Sequence, residues 1–404
     1  MAETSRERVL KTFRHEQPEK LAVDFGSSTS TGISIFAYAR LQKYLGINSG
    51  ELPKLFDIFM MMADSTPEML DAMGSDVVQL KRYAPYFDIP LKDWKPWTFH
   101  DGTQCLVPGS FEPTRNARGA YELHDAQGHV IARLPEKGFY FDRTYFPLAD
   151  VEEPEELDEI PIPRMSDDEV EYLKRESKRL HEQTDKAVMF PIYARTFEAG
   201  MLDFGMQNWL IHLMSDEELV HRYLERLTDQ YIRDLDRVLS SCNEYIDFIR
   251  FVDDLGTQNS LMMSPETFRR MIKPYMQKMY DFLHTKYPKQ YVALHSCGAI
   301  RPFIPELIEM GVEILNPIQL AAKDMNAAEL KQEFGKKLTF WGGGCDMQNV
   351  MTRASIPELK DHVRRMIETL APGGGFLFAP THNFQADAAP ERILAIYETA
   401  AEYR

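Results

Sequence analysis

Residues 291–298 read YVALHSCG. Tyr291 to Leu294 are apolar strand formers, and the run ends abruptly on His295, Ser296, Cys297 and Gly298. A short apolar run that closes on a turn signal reads as a fully buried strand. In extended backbone, residues two apart point to the same side. His295 and Cys297, two soft ligands leaving the strand together, can therefore converge on one ion.

Runs of the same kind recur on both sides of this one. LAVDFG (21–26), VVQL (77–80), AVMFPIYA (187–194) and DFIRFVDDLG (247–256) precede it; ILNPIQ (314–319), LTFWGGG (338–344) and GFLFAPTHN (375–383) follow. Between them the apolar residues fall at helical spacing. Ser215-Asp-Glu-Glu218 and Ser355-Ile-Pro-Glu358 read as capping boxes. Ser264-Pro265 opens a helix that Pro274 should kink. Apolar strands alternating with helices, without hairpin turns between them, mean parallel βα units. An open doubly wound sheet is the competing architecture, but no Gly-x-Gly-x-x-Gly follows the first strand. The expected fold is thus α/β, a (β/α)8 TIM barrel forming one domain over residues 1–404, which a chain of this length accommodates with insertions.

Two stretches interrupt the pattern. From about 97 to 150 the texture becomes that of a β-hairpin or meander, with alternation around Gln127-Gly128. We expect an inserted flap at one barrel end. From about 150 to 183 an acidic, proline-punctuated linker leads into a mixed-charge helix, read as an exposed face.

The formal charge of −16 argues against a nucleic-acid binder, which needs a basic face to neutralise phosphates. No apolar run approaches membrane-spanning length, and the N-terminus MAETSRERVLKTF lacks the apolar core of a secretory signal. A cytoplasmic protein is expected. Four cysteines in a chain of 404 residues do not make a disulfide framework. Cys242 reads as a small buried apolar residue, and Cys105 carries no partner signal. Cys297 and Cys345 remain.

In a barrel, the working residues sit at the C-terminal strand ends. Here those ends carry Asp254 and Gln258, then His295 and Cys297, then Asn316 and Gln319. Cys345 and Asp346 follow, and finally His382 and Asn383. The strand bodies before them are almost uncharged, Arg250 excepted. Asp254, Gln258 and His382 are the candidate catalytic groups. Asn316, Gln319, Asp346, Asn383 and Arg195 are the candidate substrate contacts, although Arg195 and Glu198 read equally as an ion pair on the rim. Zinc takes Cys and His in tetrahedral geometry, and a catalytic site keeps one position open. The alternative is a core histidine hydrogen-bonded to backbone beside inert thiols.

The set VDDLGTQ, LHSCGAI, EILNPIQ, WGGGCDMQ and LAPGGGFLFAPTHNFQ, with the opening RERVLKTFRHEQPEKLAVDFG, resembles the uroporphyrinogen decarboxylase superfamily, in particular the branch containing corrinoid-dependent methyltransferases. The resemblance covers the chain apart from the flap. It implies a (β/α)8 barrel and zinc held by a His-x-Cys pair, matched by His295 and Cys297, plus a later cysteine. The family's third ligand lies in a Pro-Gly-Cys tip that here reads Pro372-Gly373-Gly374. Cys345, one strand earlier, is expected to supply the missing thiolate, with His382, Glu198 or Asp254 completing the shell. The implied function is methyl transfer between a small methylated substrate, or a thiol acceptor, and a corrinoid. No Asp-x-His-x-x-Gly motif is present, so the corrinoid is expected on a separate protein; relatives are often dimers, which makes a homodimer the expected assembly. The alternatives are decarboxylation of a carboxylic acid and a non-catalytic ligand-binding barrel. Against uroporphyrinogen itself, the first strand tip VDFGSSTSTG has no arginine to hold so many carboxylates.

Overall fold

A computed structural model describes residues 3–47 and 50–404. Among them eight strands pair in parallel: β1 (Ala22–Val23), β2 (Val77–Gln79), β3 (Ala187–Pro191), β4 (Phe248–Val252), β5 (Tyr291–His295), β6 (Ile314–Asn316), β7 (Thr339–Trp341) and β8 (Phe376–Phe378). Each strand pairs with its sequence neighbour from β2 through β8, and β1 pairs with β8. The remaining seam, between β1 and β2, is bridged at Asp76. Its N–H donates to the Val23 carbonyl at 2.7 Å, and its carboxylate accepts the Val23 N–H at 2.9 Å. The sheet thus closes into the α/β barrel expected from the sequence, with helices outside.

Alternation decides what the barrel contains. Phe248, Ala293, Ile314, Trp341 and Leu377 form one interior cluster with Ala22, Val77 and Met189. Side chains two residues on share their face, so Arg250, His295 and Asn316 also point inward, nearer the C-terminal mouth. Val292 and Leu294 face the surrounding helices. The helix Ser5–Phe13 closes the opposite end: Val9 and Phe13 join the interior cluster, and the Phe13 ring packs edge-on against Phe248 at 5.1 Å.

Several helix signals act as read. Ser355 and Glu358 form the reciprocal capping box of Ile356–Leu370. Ser215 does not cap: its hydroxyl turns back to the Ile211 carbonyl, and Asp216 instead accepts the Leu219 N–H. A carboxylate at the cap also meets the positive helix end, which a hydroxyl does not. Pro274 is accommodated by a π-helical turn at Phe268–Ile272, directly before Lys273–Lys286. That turn absorbs the missing N–H.

Between β2 and β3 lie a hairpin (Lys95–Thr98 with Gln104–Val107) and a four-stranded antiparallel sheet of Thr114–Arg115, Tyr121–His124, Val130–Leu134 and Asp142–Arg143. They are tied to the segment after β1 by backbone bonds from Leu106 to Pro53 and from Phe141 to Phe59. No helix of the described residues is long and apolar enough to cross a membrane.

Candidate metal and substrate site

Strand β5 ends on His295, and the chain then turns through Ser296, Cys297 and Gly298. Gly298 is held at φ +97°, and a Cβ there would lie 2.3 Å from the backbone of Gly256. Only glycine lets the β4 and β5 tips approach this closely. The turn is fixed by two side chains from neighbouring tips: Asp254 accepts the Cys297 N–H at 2.7 Å, and Gln319 accepts the Gly298 N–H at 2.7 Å. These bonds aim the Cys297 thiol back toward His295, whose Nε2 is 3.5 Å from Sγ.

Asn316, one strand over and in register with His295, fixes the imidazole. Its Nδ2 donates to the Trp341 carbonyl at 2.7 Å, so its Oδ1 is the free acceptor, 2.6 Å from His295 Nδ1. An amide oxygen accepts only. His295 therefore carries its proton on Nδ1 and presents the Nε2 lone pair toward Cys297. This is the arrangement in which a histidine binds a metal while an outer partner sets its tautomer.

The third donor is His382, from the loop after β8. Ligand atoms of His295, Cys297 and His382 all lie within 4.8 Å of one another. Cys345, expected as the third ligand, is not among them. After Trp341 the glycines at 342 and 343 take positive φ and turn the chain outward. Cys345 ends in the outer hydrophobic layer, fully buried, with Sγ against the Asp346 carbonyl at 3.8 Å. Glu198 is also outside the trio, paired with Arg195 at 3.3 Å.

Electrostatics in the cluster follow from burial. Burial, and then Arg250, push His295 well below the ordinary histidine range, leaving a neutral imidazole. Burial drives the Cys297 thiol upward, and the carboxylates of Asp254 and Glu198 add to it. Burial also raises Asp254 and Glu198, the second helped by the first. Asp254 Oδ1 is 3.7 Å from His295 Nε2. The donors are thus two imidazoles and a thiol with carboxylates alongside, each anionic form penalised by burial. A divalent cation among them reverses every one of those penalties, so the residues present fit zinc.

Two of the trio, Cys297 and His382, line a cavity of about 460 Å³, with Gln319, Thr381, Met347 and Arg392 also in its wall. That is the size range of small-molecule sites.

The remaining candidates divide. Gln319 lines this cavity. Asn383 also borders it, but its amide is engaged at both ends, by the Thr29 carbonyl and by Gln385. Asp346 lines the cavity too, with its carboxylate accepting from the N–H groups of Gln348 and Asn349 at 2.9 Å in the turn that follows. Asn316 spends both ends of its amide on His295 and the Trp341 carbonyl. Gln258 sits on an exposed loop, away from the cavity wall. Arg195 and Glu198 do form an ion pair, but a largely buried one over the Tyr193 ring instead of on the rim. Sequence reasoning passed over Asp253, whose buried carboxylate accepts the N–H groups of Thr196, Phe197 and Glu198 and so orients that segment. It also passed over Asp57 and Ser30, which carry no spacing signal. Arg250 had one: a lone charge in an apolar strand.

A solved methyltransferase from Methanosarcina mazei is similar over 99% of both chains, with TM-score 0.58 and 15% identity; at that identity the likeness shows the fold alone. The Ignisphaera aggregans GH53 catalytic domain covers 95% of this chain and 97% of its own at 10% identity, but its TM-score of 0.39 carries no argument. No curated protein matches. The uroporphyrinogen decarboxylase (URO-D) family model matches residues 146–403, which is more than half of the chain and includes β3 to β8 with all three candidate metal ligands. The chain belongs to the uroporphyrinogen decarboxylase (URO-D) family.

Proposed function

We propose that this URO-D family chain is a zinc-dependent methyltransferase, moving a methyl group between a small methylated substrate, or a thiol acceptor, and a corrinoid carried on a separate protein. What carries the reading is the convergence of His295, Cys297 and His382 on one point at the barrel mouth, with the His295 lone pair turned toward it by Asn316. The fold likeness to a methyltransferase agrees with it.

His295, Cys297 and His382 are the residues that would hold the metal. When bound, zinc supplies Lewis acidity, lowering the pKa of a thiol acceptor or polarising a heteroatom that leaves with the methyl group. The protein's own part is positioning. Asn316 holds the imidazole, Asp254 and Gln319 hold the Cys297 turn, and the cavity admits a small molecule beside them. Asp254, half-buried and beside the trio, is the group placed to exchange a proton with the reacting heteroatom.

The test is metal analysis of protein purified without chelators or affinity metals. One zinc per chain, lost in both Cys297→Ser and His382→Ala, together with methyl transfer from methylcobalamin to a thiol, supports the reading. Absence of metal, with carbon dioxide released from a small acid, replaces it with a decarboxylase.

A further inference from the structure

The cavity beside Cys297 and His382 holds few charges, and almost all of them are already engaged. Arg392 is the one Arg or Lys in its wall among the described residues. Its Nε donates to the Met351 carbonyl, and its Nη2 donates to the carbonyls of Ala354 at 2.7 Å and Val350 at 3.1 Å. Asp346 takes three donors, the two N–H groups of its turn and Asn349 Nδ2 at 3.0 Å. Asp387 makes no hydrogen bond or ion pair among the described residues, but it is exposed, where water and salt screen it. A charged group drawn out of water needs a partner of opposite sign. An anion would find two carboxylates and a guanidinium bound to three carbonyls. An ammonium would find one carboxylate occupied and the other in solvent.

The rest of the wall suits a molecule without charge. Met347 and Met351, with Ala388 and Ala389, give it an apolar side, and methionine adapts its shape to an apolar guest. Gln319 supplies a single donor. The residue is 9% exposed, and its Oε1 is fixed by the Gly298 N–H at 2.7 Å. That leaves Nε2, which donates to nothing among the described residues, for whatever enters the cavity. The bond to Gly298 also sets this amide next to Cys297 in the same turn. One amide N–H is enough for a neutral oxygen or sulfur, but not for a desolvated anion.

We propose that the molecule taken here is uncharged, a short alkyl ether or thiol. Its hydrocarbon end packs on Met347 and Met351, and its heteroatom accepts from Gln319 Nε2 beside Cys297. That this heteroatom gives up or receives the methyl group rests on the methyltransferase reading. The selection for an uncharged molecule stands on the cavity wall alone.

Calorimetric titration of the purified chain tests this with methyl butyl ether, 4-methoxybutanoate and 4-methoxybutylamine, which share a methoxy end and differ in charge at the other. The ether is expected to bind saturably, and tighter than 4-methoxybutanoate by roughly tenfold or more. Met347→Arg, which adds a cation to the apolar side, should reverse that order. Gln319→Glu keeps an acceptor for the Gly298 N–H and loses the donor; it should weaken ether binding by roughly tenfold with its urea midpoint little changed. Failure of the ether to bind overturns the proposal, as does either charged probe binding as tightly as the ether. Undiminished ether binding in Gln319→Glu also overturns it, and decides the matter if Met347→Arg does not fold. Zinc content of the same preparations separates the two readings. Ether binding without metal sinks the methyltransferase alone, and metal with the carboxylate preferred sinks only the present inference.

Discussion

Asn316 Oδ1 lies 2.6 Å from Nδ1 of His295, and this one contact selects the imidazole nitrogen that faces Cys297. The selection works because the other end of the Asn316 amide is already spent on the Trp341 carbonyl. Asn316→Ala should weaken zinc binding by roughly 10–100-fold. Asn316→Asp, which keeps the acceptor, should lose less. Competition with a chromophoric chelator measures both; equal affinities in Asn316→Ala and wild type would mean that the tautomer is held by something else.

Cys345 and Cys297 should behave oppositely on removal. Cys345→Ala deletes a sulfur from the outer hydrophobic layer and should cost about 1 kcal/mol of stability with metal content unchanged. Cys297→Ser should empty the site with little effect on folding. Elemental analysis beside urea unfolding reads both, and zinc lost from Cys345→Ala would restore it as a ligand.

Asp76 joins three parts of the chain at the β1–β2 seam. It accepts the Val23 N–H and pairs with Arg8 at 2.5 Å and with Arg404 at 2.8 Å. Asp76→Ala takes from the largely buried Arg8 cation its shorter ion pair, leaving it only Glu3 at 3.4 Å, and removes the acceptor of the Val23 N–H. It should cost about 3–5 kcal/mol, seen as a lower urea midpoint. Asp71→Ala, on an exposed carboxylate paired with Lys186, should cost less than about 1 kcal/mol.

Asp57 makes stability depend on pH in an unusual direction. Burial raises its carboxyl from 3.8 to about 7. Between those values the folded chain keeps a proton that the unfolded chain has released. Its contribution is fully present below pH 3.8 and is lost as pH rises through about 7, a span worth roughly 4 kcal/mol. Asp57→Asn should remove that slope. Urea midpoints from pH 4.5 to 7.5, taken as the difference between wild type and variant, should fall with pH; a flat difference would place the Asp57 titration elsewhere.

The barrel was legible because its signals are local. An apolar strand of five residues, the turn after it and the helix that follows are each set by neighbours in sequence. YVALHSCG alone placed His295 and Cys297 on one side of an extended chain, and the structure keeps them 3.5 Å apart. Capping at Ser355 was readable for the same reason. At Ser215 a hydroxyl and a carboxylate competed one residue apart, and the helix end took the charge.

What sequence could not fix was which other tips point at that pair. The positive φ at the glycines of 342 and 343 turns Cys345 outward, while the loop after β8 turns His382 inward. Both residues sit just past a strand end, and nothing in their spacing distinguishes them. Arg250 and Ser30 are 220 residues apart yet hydrogen-bonded, a meeting made by closing the barrel. Sequence by itself determined the strands, the helices and the chemistry available at each tip. Tertiary structure alone decided which of those groups share a point in space, because closure brings together residues whose orientations depend on the turns of several separate loops.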